Sequence, residues 1–346
     1  MINEKQNFQM LLNGECPEWV PSYTILPPPK GSGLPEPPIM LLTPEFLNKH
    51  RKVGVGGIDP WGVKYVYSEE VNGATMPDTT SFILDDITNW RDVIKAPDIS
   101  GFDWERIAKE NIENSGINRD ETLLSFDVHF GYFQHVMSFL GFTNGLCAFY
   151  EEPEEVFALC SYLCDFYCEV TEKLIDYYNP DVISLKDDTA SLQAPFISPD
   201  LFEEILVPQY QRHAKFAQDR GIPISFHNCG KAEKLIDILV EKVGIGLWDP
   251  AQTCNDLAGI KARYGNKLVI AGGWDAKGHL LADDATDEEI YDSVKQSIEM
   301  LAPGGGYAFC GGFMPSIDER ERAIALHKNE IVQKAYNDLK YSIYQR

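Results

Sequence analysis

The sequence predicts an α/β protein folded as a (β/α)8 TIM barrel with an N-terminal extension. Three observations lead there. Beyond residue 120, short apolar or β-branched runs alternate with longer helix-like segments, the pattern of parallel strands joined by right-handed crossovers. Most of those runs end in polar or metal-binding residues, among them His129, Asp187-Asp188, His227-Asn228-Cys229, Asp249 and Cys310. Reactive residues at the ends of many strands suit the catalytic face of a barrel, whereas a doubly wound sheet gathers its site at one switch point. The length, 346 residues, suits one barrel with additions. Residues 1–346 are therefore read as one domain, with residues 1–110 supplying the first strands and an embellishment.

In chain order, 19–25 (WVPSYTI) is a candidate first strand. The segment 27–38 carries six prolines, which exclude a helix interior or a central strand and leave an exposed loop or an extended lid. Residues 59–67 (DPWGVKYVY) read as a hairpin arm. The later strands are expected at 121–129, 181–187, 222–228, 244–249, 267–272 and 306–310. Between them, 153–178 carries Val156, Leu159, Cys160, Leu163, Tyr167, Val170 and Leu174 close to a helical period. Ser198-Pro199-Asp200 makes a good helix start, with serine as cap and proline in the first turn. Thr286 and Glu289 have capping-box spacing.

Charge excludes some partners. Lys and Arg number 30 against 53 Asp and Glu, a net charge of −23. A phosphate backbone or an anionic membrane surface calls for the opposite balance, so neither nucleic acid nor membrane is expected. No apolar run approaches the roughly 18 residues of a membrane span, and no apolar leader is visible, so a cytoplasmic location is expected. The eight cysteines are too sparse for a disulfide framework and read as thiols or metal ligands. Cys160, Cys164 and Cys168 share one helix stripe and read as small core residues.

The sharpest local feature is His227-Asn228-Cys229-Gly230. Residues two apart on a strand point to the same side, so the imidazole and the thiol converge where the strand ends. Cys310 ends another predicted strand. One nitrogen and two sulfurs make a tetrahedral zinc site with one position open, as a catalytic site requires. Spacing alone also allows a core histidine and two buried thiols. Asp187 and Asp188 end a third strand and Asp249 a fourth. Each is a candidate proton donor, hydrogen-bond partner of a zinc ligand or further ligand, or else a cap or structural ion pair.

The stretch 181–230 and its continuation resemble the uroporphyrinogen decarboxylase superfamily. The matching pieces are a strand ending in Asp187-Asp188, then Pro195, Ser198-Pro199, a helix with Pro208-Gln209-Tyr210, and a strand ending in His227-Asn228-Cys229-Gly230. Asp256-Leu257, Gly272-Gly273 and PGGGYAFCGGFMP at 303–315 continue it. The resemblance covers about residues 120–330 and implies a TIM barrel. Decarboxylases of this superfamily carry an arginine-rich N-terminal motif; residues 15–40 here contain Lys30 as their one basic group. The zinc-dependent corrinoid (cobamide) methyltransferases are the better likeness, because their His-x-Cys and distant Cys match His227, Cys229 and Cys310 in order.

That likeness implies Zn2+, a corrinoid supplied by a separate corrinoid-binding protein, and methyl transfer to or from a small molecule. The methyl donor or acceptor would be a methyl ether, methanol, a methylamine-derived compound or a thiol, as in O-demethylation or coenzyme M methyltransferase systems. It also implies a homodimer. Two alternatives stand beside it: a metal-free decarboxylase of the same superfamily, and a non-catalytic barrel that only binds a corrinoid protein.

Overall fold

The structure is a computed structural model that describes residues 2–24, 37–51, 55–67, 75–127, 131–314, 316 and 318–344. Most of the proline-rich loop at 27–38, and His129, lie outside the described residues. The strands are β1 (Ile39–Leu42), β2 (Gly57–Ile58), β3 (Lys64–Tyr67), β4 (Thr75–Pro77), β5 (Leu123–Asp127), β6 (Val182–Lys186), β7 (Ile224–His227), β8 (Leu247–Ala251), β9 (Val269–Gly273) and β10 (Tyr307–Cys310). Seven of them form one parallel sheet in the order β1-β5-β6-β7-β8-β9-β10. An eighth stave comes from the N-terminal segment: Ser22 bridges Phe309 of β10 in parallel. Tyr23 N–H donates to Phe309 O at 2.8 Å, and Phe309 N–H donates to Pro21 O at 2.9 Å.

The sheet curls on itself. Ile39 of β1 and Ala308 of β10 share one buried cluster with Leu123, Val182, Leu247 and Val269. Phe8 and Leu11, from the helix Glu4–Leu12, belong to the same cluster and plug the N-terminal end of the barrel. That helix starts on a capping box: Asn3 Oδ1 accepts from Gln6 N at 2.9 Å and Gln6 Oε1 accepts from Asn3 N at 3.0 Å. The chain is thus a (β/α)8 TIM barrel with an N-terminal extension. Antiparallel β2, β3 and β4 form a separate small sheet that contains the expected hairpin arm.

Strand alternation sorts the side chains. Leu124, Phe126, Ile183, Leu185 and Phe226 face the helical layer and join the larger core, with Phe126 edge-on to Tyr178 at 4.4 Å. On the inner face, apolar Leu123, Val182 and Leu247 lie at the bottom. Small Ser125, Ser184 and Ser225 are buried one step up. Asp127, Lys186, His227, Asp249 and Cys310 follow on the same rows at the C-terminal ends. The polar strand endings seen in the sequence are therefore the top layer of the barrel interior.

The six later strands lie within two residues of their expected ends, apart from Leu247–Ala251, which starts later and runs beyond Asp249. The helix Pro153–Tyr178 coincides with the helical period, and Cys160, Cys164 and Cys168 are buried free thiols on it. Thr286 caps the helix Asp287–Leu301 in the expected box. Strand β1 has no counterpart in the sequence reading: its four residues directly follow Pro37-Pro38. No helix among the described residues is long and apolar enough to cross a membrane.

Candidate metal centre

Parallel pairing brings the ends of β6, β7 and β8 side by side, with Lys186 opposite His227 and His227 opposite Asp249. His227 and Cys229 lie two apart at the end of β7. Asn228, between them, is fully buried and spends its amide on Thr189, accepting from Thr189 N at 3.2 Å and donating to Thr189 Oγ1 at 2.8 Å. This anchor leaves its two neighbours facing each other, with Cys229 Sγ 3.5 Å from His227 Nε2. Gly230 then turns with φ 86°, where a Cβ would sit 2.5 Å from Ala190 O. Glycine is what lets the loops after β6 and β7 touch.

Asp188 reaches into this corner. Its Oδ1 accepts the Cys229 N–H at 2.9 Å and lies 3.8 Å from His227 Nε2. Its Oδ2 accepts from Gln134 Nε2 at 3.1 Å. One ligand atom each from Asp188, His227 and Cys229 falls within 4.8 Å of the others. Asp187 has different partners. It is fully buried and accepts from Phe133 N at 2.8 Å, Gln134 N at 3.1 Å and Tyr210 Oη at 2.6 Å. It thereby holds the first turn of the helix Tyr132–Leu140. Gly131 makes room for it, since a Cβ there would fall 1.7 Å from Asp187 Cγ. Burial, aided by the charge of Asp188, pushes the Asp187 carboxyl up to about 7 against those three hydrogen bonds.

Asp249 stands on the other side of the imidazole, its Oδ2 3.4 Å from His227 Nδ1. The same oxygen accepts the Tyr23 hydroxyl at 2.9 Å, while Oδ1 is buried with no hydrogen-bond partner among the described residues. Burial alone would lower the His227 pKa; Asp249 and Cys229 outweigh it and lift the imidazole to about 10. Cys310 ends β10, three strands from β7 in the sheet order. It lies outside the three-ligand group. Burial first, then the charges of Asp249 and Asp275, push its thiol up to about 12. A wide groove opens outward from Cys310 and Tyr23 past Cys254, Trp274 and Phe313.

The residues fit a soft divalent cation. An imidazole nitrogen, a thiol sulfur and a carboxylate oxygen already converge, and a second carboxylate and a second thiol line the same mouth. Two carboxylates and a thiol around one imidazole attract positive charge, which the His227 proton supplies when no metal does.

Of the residues expected at strand ends, His227 and Cys310 close β7 and β10, Asp187, Asp188 and Cys229 lie one or two residues past β6 and β7, and Asp249 falls inside β8, which runs on to Ala251. Sequence reasoning missed Tyr23, because the candidate strand 19–25 closes on apolar Ile25 and gives no polar ending to follow. It also missed the inner-face ion pair in which Lys186 Nζ donates to Asp127 Oδ2 at 2.8 Å.

The sequence model of the uroporphyrinogen decarboxylase (URO-D) family matches residues 132–321. None of the curated proteins matches the chain. Among solved structures, a methyltransferase from Methanosarcina mazei is similar with a TM-score of 0.59 and 15% identity, over 98% of this chain and 99% of that one. That likeness shows a shared fold. The family match spans more than half of the chain and takes in every residue of the corner built by Asp188, His227 and Cys229, and on that ground the chain belongs to the uroporphyrinogen decarboxylase family.

Proposed function

We propose that this protein is a zinc-dependent methyltransferase that moves a methyl group between a small molecule and the corrinoid of a separate corrinoid-binding protein. The observation that carries the reading is the meeting of Asp188, His227 and Cys229 within 4.8 Å at the C-terminal ends of barrel strands. The fold shared with the methyltransferase from Methanosarcina mazei supports methyl transfer as the reaction.

In this reading His227, Cys229 and Cys310 hold the ion. Bound zinc supplies Lewis acidity, stabilising a substrate thiolate or drawing electron density from the oxygen or nitrogen that carries the methyl group. Asp188 fixes the Cys229 backbone and is the carboxylate placed to exchange a proton with the reacting heteroatom. Gln134 holds the other oxygen of Asp188. Asp187 sets the helix that carries Gln134, so it acts by positioning. Asp249 orients the His227 ring from behind. The corrinoid-binding protein docks over the barrel mouth, where Leu192 and Met314 line the groove and expose 67% and 74% of their surfaces.

Elemental analysis of the purified protein tests the metal. One zinc per chain is expected, and Cys229→Ser combined with Cys310→Ser should abolish it. Zinc retained at one per chain in that double variant overturns the ligand assignment. A panel of methyl ethers, methanol, methylamines and thiols with a reduced corrinoid carrier tests the reaction. Formation or loss of the methyl–cobalt spectrum supports it. Carbon dioxide released from a tetrapyrrole carboxylate, with no methyl–cobalt change, would replace it with decarboxylation.

A further inference from the structure

We infer that Tyr23 is a positioning residue of the metal centre, acting through Asp249 on His227; the inference rests on the metal-centre reading above. Tyr23 belongs to the N-terminal stave, outside the residues 132–321 that match the family. Its hydroxyl donates to Asp249 Oδ2 at 2.9 Å, and that same oxygen faces His227 Nδ1 at 3.4 Å. A histidine that donates from Nδ1 presents Nε2 as a lone pair. Here Nε2 is the atom turned toward Cys229 Sγ, at 3.5 Å, and Asp188 Oδ1, at 3.8 Å. The carboxylate behind the ring therefore decides which nitrogen is offered to the metal.

The two oxygens of Asp249 are not equivalent. Oδ1 is buried without a hydrogen-bond partner among the described residues, so Tyr23 and His227 hold the carboxylate by Oδ2 alone. Without the Tyr23 hydroxyl, one of those two anchors is lost and the carboxylate is free to turn. The tyrosine itself is well fixed. Its ring stacks on Phe8 at 6.3 Å, and its N–H bonds Phe309 O at 2.8 Å, next to Cys310. One short segment thus braces the strand that carries Asp249 and the strand that carries Cys310.

Tyr23→Phe keeps the ring on Phe8 and removes the hydroxyl alone. Zinc affinity of the full chain, measured by competition with a chromophoric chelator, should weaken about tenfold in Tyr23→Phe and by about ten- to a hundredfold in Asp249→Asn. The combined variant should bind no more weakly than Asp249→Asn, because both changes cut one tether. In zinc-loaded protein with 15N-labelled histidine rings, the His227 Nδ1 proton should exchange faster with water in Tyr23→Phe than in the wild type. Unchanged affinity and unchanged Nδ1–H exchange in Tyr23→Phe, with the wild type still holding one zinc, overturn the tether and leave the metal centre standing. Asp249→Asn carries the same test from the other end of the bond. A wild-type chain that takes up no zinc overturns the metal centre, and the tether with it.

Discussion

His213 sits in the helical layer on Val207–Gln218, between the Tyr132 hydroxyl, 3.1 Å from Nδ1, and Thr171 Oγ1, 2.6 Å from Nε2. His227 ends β7 inside the barrel mouth, between Asp249, Cys229 and Asp188. Burial pushes His213 down to about 4, with Asp127 opposing only in part. Burial acts on His227 in the same sense, yet Asp249 and Cys229 carry it up to about 10. Depth alone therefore does not set the charge of a buried histidine. What separates the two is the set of anions that neighbouring strands bring to one imidazole and not to the other.

The comparison can be broken from either side. The largest effect belongs to the barrel mouth: His227→Gln should weaken zinc affinity by more than about a hundredfold, read by chelator competition, while the urea midpoint of the metal-free protein moves little. The reverse pattern is expected in the helical layer. The folded-state pKa of His213, about 4, lies below the unfolded value of about 6.5. Between those values the unfolded chain binds a proton that the native chain refuses, so stability falls as pH drops below 6.5. The share of this one group in that loss is about 2 kcal/mol between pH 7 and pH 5. Urea titrations at both pH values on wild type and His213→Gln isolate it as the difference between the two proteins, since the buried Asp187 carboxyl, raised to about 7, titrates in the same window with the opposite sign; zinc content should not change. The smallest effect is local: Thr171→Val strips His213 Nε2 of its partner and should cost about 1 kcal/mol, again with zinc unchanged. Loss of zinc from either helical-layer variant would show that the two histidines are not independent.

Much of the mouth was legible in the sequence because barrel chemistry is local at strand ends. His227 and Cys229 are two residues apart, and Asp187, Asp188, Asp249 and Cys310 each close a recognisable apolar run. Tyr23 was hidden for the opposite reason. It meets Asp249 across 226 positions, and nothing in residues 19–25 announces that their neighbour is the last strand. Strand β1 was hidden behind prolines that dominate its flank. The need for glycine at 131 shows only in three dimensions, where Asp187 fills the space a Cβ would take. Side-chain pairs such as Lys186 with Asp127 depend on strand neighbours that periodicity does not name.

The pairing of Ser22 with Phe309 sets an order on assembly. A ribosome delivers the first stave long before its neighbour exists, and that stave waits, unpaired on one side, until β10 has emerged. The barrel cannot shut around its apolar plug before then, and a long-range closure of this kind is slow to find. Cys310 and the bond from Tyr23 to Asp249 thus reach the mouth only near the end of synthesis, after the strands that carry Asp188, His227 and Cys229.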